Sequence, residues 1–111
     1  MNTVTLGVIN VWRYHTGSVI RSWKDREAER IFKLERSRKL PPDIQRVALR
    51  KMRMLDAAAN LEDLKIPPAN RLEKLGGDRR GQWSIRINDQ WRVCFTWTAG
   101  NAHDVEITDY H

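Results

Sequence analysis

The chain ends on three side chains that can do chemistry: the carboxylate of Asp109, the phenol of Tyr110 and the imidazole of His111. They follow a strand-like run at residues 105–108, so a strand and not a loose tail must carry them. An imidazole titrates near neutrality and serves as a general acid or base. A phenol donates a proton or stacks on a base. Two arginines, Arg86 and Arg92, sit in the strands just upstream. Each guanidinium is a planar fork of donors that matches phosphate oxygens and keeps its charge. Together these groups have the parts for cutting RNA without a metal. A base takes the ribose 2′-OH proton, arginine neutralises the phosphate, and an acid protonates the leaving oxygen. Each proton-transfer partner contributes about 10²–10⁴-fold. Taken singly, each residue also has an ordinary reading as a solvated strand arginine, an edge tyrosine or a terminal histidine.

The elements that must position these groups follow from periodicity. "QWSIRI" and "WRVCFTW" alternate around the turn "NDQ", and "TAGN" turns into "HDVEITDY". Strand side chains alternate faces. Trp83, Ile85 and Ile87, then Trp91, Val93, Phe95 and Trp97, then Val105 and Ile107 therefore share an inward face. Ser84 and Arg86, Arg92, Cys94 and Thr96, and Glu106, Thr108 and Tyr110 share the other, with His111 at its rim.

The first half is helical. "VIRSW" is expected as a short strand, and "DREAERIFKLERSRK" as a helix broken by "LPPD". Asp43 is the expected N-cap of a second helix to about Ala59, with Ile44, Val47, Ala48, Leu55, Ala58 and Ala59 as its apolar stripe. Arg46, Arg50 and Arg53 recur on a different face, an arrangement more often solvated than binding. "RLEKL" is a short strand, and "GGDRRG" a turn with the glycine needed for positive φ. Helices first and hairpins later give an α+β class with an antiparallel-rich sheet.

Composition narrows the partners. Among 111 residues, 20 Lys and Arg face 14 Asp and Glu, a net charge of +6 that favours a polyanion, nucleic acid above all. A basic surface covered by an acidic protein is the other reading. Apolar residues at 41% suffice for one folded domain. Cys94 is the single cysteine, so no intrachain disulfide forms and a reducing cytoplasm fits. No run is apolar enough to span a bilayer, and the N-terminus lacks signal-peptide character. Gly76 and Gly77 form no P-loop, and the histidines and cysteine have no zinc spacing. No cofactor or metal is expected.

"RLEKLGGDRRGQWSIRINDQWRVCFTW" with the terminal "VEITDYH" resembles the HigB-type (plasmid maintenance killer) toxins of the RelE/ParE superfamily. "VIRSWKDREAERIF" and "VALRKMRMLDAAANLEDLKIPPANRLE" extend the likeness over residues 19–111. It implies a RelE-like fold, two helices packed on a curved sheet. It implies a cytoplasmic toxin that cuts mRNA on the translating ribosome. Its partner would be a helix-turn-helix (HigA-like) antitoxin, through which alone operator DNA is bound. The likeness assigns Asp109, Tyr110 and His111 to the active site and Arg92 to the phosphate.

One departure stands out. Better-studied members carry a His and a Lys before the Gly-Asp-Arg turn, where this chain has Glu73 and Gly76. Lys74, Arg79 and Arg80 are the candidates to replace that charge, and Arg86 and Arg50 to add phosphate contacts. Family members start at the strand that reads "VIRSW" here. Residues 1–18 are thus expected to be a loosely packed extension, Val19 being an alternative start. Two other functions remain open on sequence: a toxin or module that binds nucleic acid or ribosome without cleavage, and a ParE-like gyrase inhibitor.

Overall fold

Alternating apolar and polar residues in the second half of the chain build a four-stranded antiparallel meander. Its strands are β1 (Glu73–Lys74), β2 (Gln82–Arg86), β3 (Trp91–Thr98) and β4 (Asn101–Asp109), in the order β1-β2-β3-β4. The computed structural model describes residues 17–109; Tyr110, His111 and most of the expected N-terminal extension lie outside them. Two helices, α1 (Arg26–Phe32) and α2 (Pro42–Asp56), precede the sheet. Ala28 and Ile31 of α1 join Ile44, Ala48, Met52 and Leu55 of α2 in one core with Ile85, Val93, Phe95 and Val105 of the sheet. The predicted inward face is thus the helix-covered one, with Trp83, Trp91 and Trp97 partly buried around it.

Both helix boundaries differ from expectation. The first helix stops at Phe32, not near the "LPPD" break, because Leu34 takes a left-handed φ of 67°. The Leu34 N–H then donates to the Ile31 carbonyl and the Glu35 N–H to the Arg30 carbonyl, the pair of bonds that closes a Schellman turn. The second helix starts at Pro42 behind Pro41, so Asp43 sits in the first turn and is not its cap. There its charge favours the helix dipole. The helix ends at Asp56, which leaves Ala59 exposed.

"VIRSW" makes two isolated parallel bridges to the β4 edge, Ile20 with Ala102 and Trp23 with Val105, and no continuous ladder. A bulge explains the broken match. The β3–β4 register shifts between Cys94 and Thr96, and Asp104 has a φ of 53°. One extra residue on β4 turns both Ala102 and Val105 inward, each fully buried three positions apart. Strict alternation does not foresee Ala102 in the core.

Asp56 clamps the N-terminal edge to the end of α2. Its Oδ1 accepts hydrogen bonds from Ser18 Oγ at 2.8 Å, Val19 N–H at 3.0 Å and Ile20 N–H at 2.9 Å. Asp56→Ala is expected to cost about 2 kcal/mol in chemical denaturation, as hydrogen bonds to a charged acceptor are lost. It should raise hydrogen exchange at Val19 and Ile20 ahead of the β2–β3 core.

Candidate functional site

Strand register sets three polar rows on the sheet face turned from the helices. Glu73, Ser84, Cys94 and Glu106 lie side by side across all four strands; Arg86, Arg92 and Thr108 form the next row. Gln82, Thr96 and His103 form a third beyond the bulge. Directly opposed residues share a face and touch. The predicted grouping of Ser84, Arg86, Arg92, Cys94, Glu106 and Thr108 is therefore the observed one. Its environment differs from the expected solvated face: Ser84, Arg92 and Cys94 are buried.

Arg92 is 8% exposed. Its Nη1 donates to Ser84 Oγ at 2.8 Å and to the Arg71 carbonyl at 3.3 Å, and lies 3.2 Å from Glu73 Oε1. Arg79 leans over the same face from the turn Gly77–Arg79. Its Nη1 reaches Glu106 Oε2 and Gln82 Oε1, each at 2.9 Å, and its Nη2 reaches Thr108 Oγ1 at 3.5 Å. Glu106 is shared with Lys24 at 3.7 Å. Two guanidinium groups thus converge over adjacent rows, each already holding a carboxylate. A phosphate oxygen can replace either carboxylate oxygen with the same donors.

The other predicted residues are spread more widely. Arg86 is directly opposite Arg92 but turns to Asp89 in the β2–β3 turn. Lys74 pairs with Trp83, and its Nζ stands 5.9 Å from that ring's centre, so it belongs to the side away from Arg92. Arg80 is exposed in the turn after Arg79, and Arg50 is exposed on α2 in the helical layer. Arg50 and Arg86 both bear on Lys51. Burial, then Arg50 and Arg86, hold that ammonium below its ordinary value of 10.5, and its Nζ donates to Asn70 Oδ1 at 2.6 Å. Asp109 is opposite Trp91, across the sheet from Arg92, and its Oδ2 accepts from Gln90 Nε2 at 3.0 Å. Tyr110 and His111 lie outside the described residues. Of the three candidates to replace the missing lysine, the structure brings Arg79 alone beside Arg92. No group of three or more His, Cys, Asp or Glu among the described residues is arranged to hold a metal ion.

The family model for a RelE-like toxin of the type II toxin–antitoxin system HigB matches residues 21–111. The chain belongs to this family. Toxin HigB-1 of Vibrio cholerae is 42% identical over 81 residues, 72% of this chain and 85% of the relative. Endoribonuclease HigB of Proteus vulgaris is 30% identical over 94 residues, 84% of this chain and all of the relative. Among solved structures, a YoeB–YefM complex from Staphylococcus aureus matches at a TM-score of 0.48 and 19% identity, covering 83% of this chain and 97% of that one. This HigB-like toxin is thus one half of a type II system and has an antitoxin as its partner. No helix among the described residues is long and apolar enough to cross a membrane.

Sequence reasoning missed Glu73 as a positive feature. It entered only as the place of an absent histidine, yet in this toxin it is the carboxylate on Arg92. The signal was available: the "RLEKL" strand pairs with "QWSIRI", and in that register Glu73 falls opposite Ser84. Cys94 lies amid the charged groups and is buried. Burial pushes its thiol pKa up, against the opposing effects of Arg79 and a hydrogen bond with Thr108, and it is 1% exposed. A raised thiol pKa keeps the neutral, weakly nucleophilic form. Iodoacetamide at pH 8 should therefore label Cys94 in denatured toxin and leave the native form about 100-fold slower. Rapid native labelling, read by mass spectrometry, would contradict the burial described here.

Proposed function

We propose that this toxin is an endoribonuclease that cuts mRNA on the translating ribosome in the cytoplasm. Arg92 and Arg79 hold the phosphate, and Tyr110 and His111, which follow Asp109 at the chain end, move the protons. The observation that carries the reading is the pair of converged guanidinium groups, Arg92 beneath and Arg79 above, on a polar face next to the end of β4. Their carboxylate partners occupy the forks that a phosphodiester would enter. The Proteus vulgaris relative is named an endoribonuclease, which fits.

In this reading a base takes the proton from the ribose 2′-OH, whose oxygen attacks the adjacent phosphorus. The 5′-oxygen leaves with a proton from an acid, giving a 2′,3′-cyclic phosphate. His111 suits one of these transfers because an imidazole titrates near the working pH, and Tyr110 suits the other or stacks on a base. Asp109, opposite Trp91 and bonded to Gln90, suits anchoring of the chain end more than contact with the phosphate. The antitoxin would be a HigA-like helix-turn-helix protein, with operator DNA reached only through it. Arg86, Arg80, Lys74 and Arg50 would add longer-range positive charge, which decays over about 8 Å at physiological salt.

Mapping of RNA 5′ ends after induction tests this. Arg92→Ala and Arg79→Ala should each lower cleavage by about 10²–10³-fold, as expected when a donor to the transition-state phosphate is removed. Deletion of His111 should abolish cleavage while ribosome binding persists. Folded Arg92→Ala protein that cuts as well as wild type would refute the assignment. Growth arrest by wild type with no new 5′ ends would point to a binding toxin or a ParE-like gyrase inhibitor.

A further inference from the structure

The loop between α1 and α2 holds a basic cluster that the site above does not use. "RSRK" at residues 36–39 carries three cations in four positions with no acid among them. Arg36, Arg38 and Lys39 are exposed, and no carboxylate of the described residues lies within ion-pair reach of them. On α1, Arg26 too has no ion-pair partner among the described residues, but the other cations do. Arg30 is paired with Glu27 and Glu35, and Lys33 with Glu29.

This loop is held rigid from below. Ser37 is 2% exposed, and its Oγ donates to Glu27 at 2.7 Å and accepts from the N–H groups of Lys39 and Leu40. Gln45 grips the loop from α2: its Oε1 accepts from Ser37 N–H, and its Nε2 donates to the carbonyls of Ser37 and Leu40. Three charges are thus presented on a fixed backbone, which lowers the ordering cost of binding.

From the cluster, grooves lead to Glu106, the carboxylate that Arg79 holds. A groove of about 600 Å³ runs from Glu106 and Lys24 at the β4 edge, past Asp25 and Arg26, to Lys39. A second, of about 450 Å³, continues past Lys39 to Arg38 and Arg36. Asp25, Glu27 and Glu106 line this path, and each is already engaged: Asp25 accepts from the N–H groups of Glu27 and Ile107, Glu27 holds Ser37 and Arg30, and Glu106 holds Arg79 and Lys24.

We propose that this groove is an RNA track, in which Arg36, Arg38 and Lys39 bind the phosphate backbone of the strand whose scissile phosphate lies at Arg92 and Arg79. The inference rests on the RNA-directed reading above. A protein partner is the weaker fit, because the path lacks the buried aromatic anchors that dominate protein interfaces. Leu40 and Ile107 are its apolar contributors.

Fluorescence anisotropy with 2′-O-methyl RNA, which the toxin cannot cut, separates the possibilities. Two probes are needed, a trinucleotide that covers only the sheet face and an unstructured oligomer long enough to span both regions. Replacing Arg36, Arg38 and Lys39 together by Ala, all on the surface, should weaken the oligomer about 10–100-fold at low salt and reduce the salt slope by about 2, the value for three single-strand phosphate contacts. Trinucleotide affinity should stay unchanged, whereas Arg92→Ala should weaken both probes. A triple variant that holds the oligomer as wild type does would overturn the track, even if that variant had lost its antitoxin. If wild type binds neither probe, the track falls, while the ribosome-directed ribonuclease reading stands or falls separately on the mapping of RNA 5′ ends. If the triple variant loses the oligomer but Arg92→Ala changes nothing, the track stands and the assigned phosphate site falls.

Discussion

A guanidinium that cannot discharge and is almost wholly buried must be met by partners, and Arg92 imposes that demand on the centre of this sheet. Ser84 meets it from the neighbouring strand, the Arg71 carbonyl from the chain entering β1, and Glu73 from β1 itself. Glu73 itself is half exposed, at 51%, so solvent screens this pair and it contributes far less than one with both members buried. The short β1 strand is still more than an edge. It delivers one of the partners, beside Ser84 and the Arg71 carbonyl, that hold a permanent cation in the sheet. The same reasoning extends to Arg79, which bridges Gln82, Glu106 and Thr108 over the adjacent rows.

This neutralisation has a consequence for binding. With Glu73 on Arg92 and Glu106 on Arg79, a phosphate entering the inner site would compete for donors that are already engaged. Cations with no ion-pair partner among the described residues would add attraction over a distance, those of the α1–α2 loop among them. In the proposed function the inner arginines would select by geometry and the outer ones capture by charge, as phosphate contacts steer association while close, directional bonds position a ligand.

Much of this architecture was legible in the sequence. Period-two alternation in "QWSIRI" and "WRVCFTW" identified both sheet faces, because a one-residue error would have placed Arg92 in the helix-facing core. It also separates Asp109 from Thr108, although the motif that groups Asp109 with Tyr110 and His111 hides the distinction. Local rules failed where tertiary contacts decide. Leucine is a poor choice for a left-handed turn, so the end of α1 at Leu34 had no composition signal. The bulge at Asp104 breaks alternation without a glycine to mark it. Ser84 is buried with Arg92 donating to it, and Cys94 is buried with Arg79 and Arg92 near enough to act on its thiol, tertiary contacts that spacing does not record. Glu73 was read through what it replaces, when its strand partner already gave its position.

The most direct test is an experimental structure of the toxin with RNA blocked by a 2′-O-methyl group at the cleavage position. The account predicts one phosphate with its oxygens within hydrogen-bond reach of both the Arg92 and Arg79 guanidinium groups, and with Glu73 turned away from Arg92. A scissile phosphate bound elsewhere, with both arginines still on their carboxylates, would contradict it.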